Sequence, residues 1–180
     1  MALRSLPRAL TLAACLLGSL AAGAASLTAQ LAAESALLGL QLAARHQATR
    51  GKLPAAQNAC LQALQPSEYF ETTEQVVAAA LSPAERAEAD EFLASAAGRK
   101  YGRKGLLAGY AAVGMAPPEP LPEFTDAETQ AIEAFAATRA GRALVARQVL
   151  QSAAAQEAYA RRTGELVARC KAASAPPKAD

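Results

Sequence analysis

A chain of 180 residues is long enough for one domain with a real core and short for two. Its apolar content is 52% but only 4% is aromatic, with no Trp, so alanine supplies much of it and the expected core is thin and helix-lined. Of 18 basic residues, Arg4 and Arg8 lie in a leader; without them the charge is balanced against 16 acids, which disfavours nucleic acid as a partner.

Residues 1–24 follow the order of a secretory signal peptide. Arg4 and Arg8 come first, then an Ala/Leu-rich run, then small residues ending in Ala22-Gly23-Ala24. Cleavage after Ala24 would start the exported chain at Ala25, in the periplasm or outside the cell. The segment Leu12-Ala13-Ala14-Cys15 also has the form of a lipoprotein processing site, which would anchor the protein through Cys15, and an uncleaved membrane anchor is a third reading. The apolar stretch between Arg8 and Cys15 is short, and the residues after Cys15 stay apolar, which favours cleavage. No later segment reads as a membrane span.

The first helix is expected over 26–49, with Leu27, Leu31, Leu38 and Leu42 near one stripe, Arg45, His46 and Arg50 toward its negative end, and Gly51 as its stop. A short second helix starts at Pro54, carries Cys60, Leu61 and Leu64, and ends at Pro66. A third runs from about Ser67 to Ala80, with Tyr69, Phe70, Val76 and Val77 as its apolar members.

Leu81–Leu107 then aligns without a gap with Phe124–Leu150, at a period of 43, with eight of 27 positions identical. Each copy opens with a capping box, Ser82-Pro83-Ala84-Glu85 and Thr125-Asp126-Ala127-Glu128. Phe92 and Phe135 follow as the large side chain of each copy. Ser95 and Thr138 are then set to cap a restarted helix, beside Gly98 and Gly141, where another backbone can pass close. The fold class expected is all-α: a single small helical bundle over 25–173 containing two helix-turn-helix repeats, 81–107 and 124–150. Between the copies, prolines 117, 118, 120 and 122 impose an extended strap. The second copy is expected to continue into one long helix whose seam is Val145, Val149, Ser152, Gln156, Tyr159, Thr163, Leu166 and Cys170. Residues 174–180 read as a disordered tail.

The run Tyr69-Phe70 to Val76-Val77, then Leu81-Ser82-Pro83-Ala84-Glu85, then Phe92-Leu93-Ala94-Ser95-Ala96-Ala97-Gly98-Arg99-Lys100 resembles the secreted bacterial family known as domain of unknown function 2059. That family typically closes the capped helix with a second aromatic and a proline, where this chain has Leu93 and Ala96. The resemblance covers residues 69–107, and 124–150 more weakly; it implies an all-helical exported protein and supplies no activity.

His46 is the only histidine, so any Ser-His-acid or Cys-His mechanism must use it; its simpler reading is a surface residue at a helix end. One His with Cys60 and Cys170 at no short spacing makes a poor zinc set, and no metal or other cofactor is expected. Glu85, Glu88, Asp90 and Glu91 offer carboxylates, but such a group is more often a solvated face, with Asp90 set to pair with Arg86. Arg99, Lys100, Arg103 and Lys104 make a basic helical face that could meet an envelope protein or glycan. Leu106, Leu107, Tyr110 and Val113 could line an apolar groove. In an exported chain Cys60 and Cys170 are expected to pair. Nothing here forms a catalytic constellation, so the expected role is a non-enzymatic binding or interaction module of the cell envelope, with a carrier of an apolar ligand or peptide near 105–115 as the alternative.

Overall fold

The computed structural model describes residues 25–174; the expected leader, with Cys15, and residues 175–180 of the expected tail lie outside them. Helix α1 runs Leu27–Thr49, and its free amides are met three ways. Ser26 Oγ accepts from Ala29 N, Glu74 from Ser26 N, and Asp90 from both the amide and the hydroxyl of Thr28, at 2.8 and 2.7 Å. Carboxylates from two later helices thus fix where the first one starts.

The buried stripe of α1 is Ala29, Ala33, Leu37, Leu40 and Ala44, flanked by Leu42. This corrects the expected stripe: Leu27 is exposed, while Leu31 and Leu38 are only half-buried. Alanines let neighbouring helices close onto α1, so the widest side chains fall to the sides of the contact rather than at its centre.

Helix α2, Ala55–Ala63, is followed by a 3-10 turn, Pro66–Tyr69, and by α3, Phe70–Ala80. Tyr69 is fully buried and its hydroxyl lies 2.7 Å from Thr163 Oγ1. Helix α4 spans Pro83–Ala94 and α5 spans Ala96–Ala112; α6 spans Asp126–Ala136, and the single turn α7 spans Arg139–Gly141. Both capping boxes form, at Ser82/Glu85 and Thr125/Glu128.

The joint after each boxed helix is built alike. Ser95 and Thr138 accept from Gly98 N and Gly141 N, each at 3.0 Å, and Arg99 and Arg142 donate to the carbonyls of Ala94 and Ala137. At each glycine an added Cβ would lie 1.9 Å from a carbonyl oxygen, that of Phe92 or that of Phe135. The two phenylalanines stack on each other, with centroids 4.0 Å apart and planes 2° from parallel.

Beyond the joint the segments part. After Gly98 the chain continues as the full-length α5, whereas after Gly141 it widens into a π-helical turn, Arg142–Ala146, and Gln148 adopts a left-handed φ of 47°. A 3-10 turn, Val149–Gln151, follows, and α8, Ala153–Ala173, starts afresh under a Ser152 cap. The expected single long helix carrying the seam from Val145 to Cys170 is therefore wrong. The break has a packing cause: Leu144, Val149 and Leu150 all reach the cluster of Ala29, Val77, Leu81 and Ala143. At 3.6 residues per turn an unbroken helix would point those three to different sides. Of the expected seam only Leu166 and Cys170 are fully buried, and Val145 is exposed.

The larger core joins Leu37, Leu40 and Ala44 of α1, Leu61 and Leu64, Tyr69, and Leu166 and Cys170 of α8. A disulfide between Cys60 and Cys170, with α-carbons 5.6 Å apart, binds α8 to α2. The whole is an all-α, single small bundle, with no strand among the described residues.

Candidate functional site

A cleft of about 490 Å³ opens between α1, α4, the 144–151 segment and α8. Its apolar wall comes from Leu31, Ala32, Phe92, Leu93, Leu144 and Leu150; its polar wall comes from Gln148, Gln151, Gln156, Tyr159 and Thr163. No charged side chain lines it among the described residues. A volume of several hundred Å³, mostly apolar with a few convergent polar groups, is the usual form of a small-molecule site.

The cleft exists because of the break after Gly141. The π-helical turn supplies Leu144 and Val145 to the wall, and the left-handed Gln148 turns the chain so that Leu150 and Gln151 face it. Such turns and single left-handed non-glycine residues cost energy and concentrate at functional sites.

Part of the polar lining already has partners. Thr28 is bonded to Asp90, Thr163 to Tyr69, and Gln156 Nε2 donates to Gln151 O at 2.9 Å. Ser35, Tyr101, Gln148 and Gln151 offer polar side chains to the cleft, and the Tyr159 hydroxyl is buried with no hydrogen-bond partner among the described residues. Burial also raises the Tyr159 pKa, which keeps the phenol neutral and able to donate.

The residues singled out from the sequence fall elsewhere. Leu106, the buried Leu107 and Tyr110 line a smaller cleft of about 210 Å³ shared with Glu34, Gln41 and Arg103, and Val113 is exposed outside it. The four basic residues of α5 are engaged within the molecule. Lys100 pairs with Glu128 at 2.7 Å, Arg103 with Glu119 at 2.7 Å, Lys104 sits 4.6 Å from the centre of the Phe124 ring, and Arg99 closes the Ala94 joint. They fasten the proline strap and α6 to α5.

Three of the four clustered carboxylates sit on helix starts: Glu85 in its own box, Asp90 on Thr28, and Glu88 accepting from Ala140 N at 2.9 Å. The expected Asp90–Arg86 pair is replaced by the Thr28 contact. His46 is exposed and its ring nitrogen lies 3.5 Å from the guanidinium of Arg50, a cation rather than an acid. Among the described residues no three His, Cys, Asp or Glu side chains gather as a metal set, and no helix is long and apolar enough to cross a membrane.

No protein-family model matches the chain, and searches of curated proteins and of solved structures return no significant match. Of the cleft lining, Val145, Gln156, Tyr159 and Thr163 are legible in the sequence as parts of a helix seam, Leu31 as part of the α1 stripe, and Phe92 and Phe135 as the large side chains of the two copies. The one local signal for the cleft was the failure of residues 143–149 to match their counterparts in 100–106.

Proposed function

We propose that this chain is a non-enzymatic binding module of the export compartment that takes an apolar ligand in the cleft beside Tyr159. The observation that carries the reading is a cleft of about 490 Å³, mostly apolar and lined by no charged side chain among the described residues. The site differs from the expected groove at 105–115, while the class of ligand is the one expected for a carrier. The reading ranks above docking of an envelope protein or glycan on the basic face, because Lys100, Arg103 and Lys104 already have partners. Export is supported by the leader pattern of residues 1–24, by the resemblance of residues 69–107 to the secreted family, and by a disulfide, which persists in oxidising compartments.

The architecture behind the site is a duplicated helix-turn-helix, 81–107 and 124–150, whose second copy has given up its long helix to open the cleft. Supporting this are the two capping boxes, the two identical glycine joints and the stacking of the equivalent phenylalanines.

The test is a titration of protein made from the full chain, leader included, with N-phenyl-1-naphthylamine, a neutral apolar dye whose emission rises out of water. Saturable binding is expected, and Ala32→Phe, which places a ring in the cleft, should weaken it by about tenfold or more. Dye binding untouched by Ala32→Phe would place the apolar site elsewhere.

A further inference from the structure

Resting on that reading, we infer that the apolar ligand carries a neutral aromatic ring system, seated against the rings of Phe92 and Tyr101. Three observations point to this class.

The first is where the aromatic residues go. The chain has four Phe, four Tyr and no Trp, and half of these rings, Phe92, Tyr101, Phe135 and Tyr159, line this one cleft. The main core, by contrast, takes its buried bulk chiefly from leucines and Tyr69.

The second is how the rings are arranged. Phe92 stacks on Phe135 with centroids 4.0 Å apart, and Tyr101 meets Phe92 at 63° with centroids 6.0 Å apart. Phe135 is buried and backs the cluster, whereas Phe92 and Tyr101 are half-buried and keep ring surface on the cleft. Ring edges are electropositive and ring faces electronegative, so a further ring gains an offset or edge-on contact that a saturated group of the same bulk does not.

The third is charge. No Lys, Arg, His, Asp or Glu lines the cleft among the described residues, so an ionised group brought inside would lose its hydration without gaining a counter-ion. Ser35, Gln148 and Gln151 are exposed along the cleft and offer a hydroxyl and two carboxamides, which suit a hydroxyl or carbonyl carried on the ring. The volume of about 490 Å³ holds roughly sixteen water-sized groups at ~30 Å³ each, room for about two or three fused rings.

The experiment displaces N-phenyl-1-naphthylamine at pH 7 with four probes: 2-naphthol, its saturated counterpart decahydro-2-naphthol, 2-naphthoate and 2-naphthylmethylammonium. Saturation enlarges the apolar surface, so burial alone favours decahydro-2-naphthol, and ring contact reverses that order. 2-Naphthol is expected to bind about fivefold tighter than its saturated counterpart, and tighter than either ion. Tyr101→Leu should remove most of this preference, while Tyr101→Phe, which keeps the ring, should retain it. The order of the probes in the parent protein decides the point even if Tyr101→Leu does not fold. If the dye itself fails to bind, the cleft is not an apolar site and the broader reading fails. If the dye binds but decahydro-2-naphthol or either ion competes as well as 2-naphthol, or Tyr101→Leu keeps the full preference, only the neutral-aromatic assignment is overturned.

Discussion

Gly98 and Gly141 are held by space rather than by backbone angle. In each, the missing Cβ leaves room for a carbonyl that ends the preceding helix, and the hydroxyl three residues earlier caps the next. Replacing either by Ala drives a carbon to 1.9 Å from an oxygen, which forces the two helix ends apart. Each variant is expected to lose about 1–3 kcal/mol in urea denaturation, the usual range for forced backbone shifts. Gly105→Ala, where an added carbon meets nothing within 4 Å, should gain slightly from helix propensity. Equal stability of Gly98→Ala and Gly105→Ala would refute the close-approach argument. At this scale the sequence was readable: the caps and the glycines follow from residue type and spacing, and the half-cystines from being the two cysteines left once the expected leader is set aside. Tyr159 was not, because a hydroxyl without a partner is defined by everything that fails to reach it.

Helix α8 is attached by ion pairs as well as by apolar contact. Glu68, on the 3-10 turn before α3, accepts from Arg162 at 3.1 Å and from Arg169 at 2.6 Å, while Arg162 Nε also donates to the Glu68 carbonyl. The hydrogen bond from Arg169 holds the Glu68 carboxyl below its ordinary value. A depressed folded-state pKa stabilises the protein above the ordinary carboxylate value of about 4.3, and that contribution is lost as pH falls through the depressed value. The melting-temperature gap between the parent and Glu68→Gln should therefore be constant near neutrality and close below about pH 4. A gap that persists to pH 2 would show that the carboxylate charge is not what Glu68 contributes. Helix starts and stops were legible because caps and prolines are local. The fate of residues 142–152 was not, because Leu144, Val149 and Leu150 satisfy no single period and are reconciled only by the cluster they join. The stripe of α1 was misjudged for a related reason: alanine marks a contact by how close it lets a neighbour come, and this leaves no trace in a pattern of large side chains.

For the whole molecule, two small cores and a Phe92–Phe135 stack leave few large buried side chains, so the Cys60–Cys170 bridge carries unusual weight. Closing a loop of this length implies a stabilisation of about 4.7 kcal/mol in the chain-entropy model, with measured bridges more often giving about 2–4. Cys60→Ala with Cys170→Ala should lower the urea midpoint accordingly. Because α8 forms one wall of the cleft, the same variant should weaken dye binding near its melting range before it does so at low temperature. A double variant as stable as the parent would mean that the Glu68 clamp and the Leu166 contacts alone hold α8 in place.

The bridge also sets a schedule. Cys60 is made 110 residues before Cys170. At about 5–20 residues per second, synthesis leaves roughly 6 to 22 s in which Cys60 has joined the chain and its proper partner does not yet exist. During that interval the second helix carries a free thiol beside an unfinished bundle. Chains arrested before residue 170 should accordingly be labelled by a thiol reagent at Cys60, whereas completed chains should resist it.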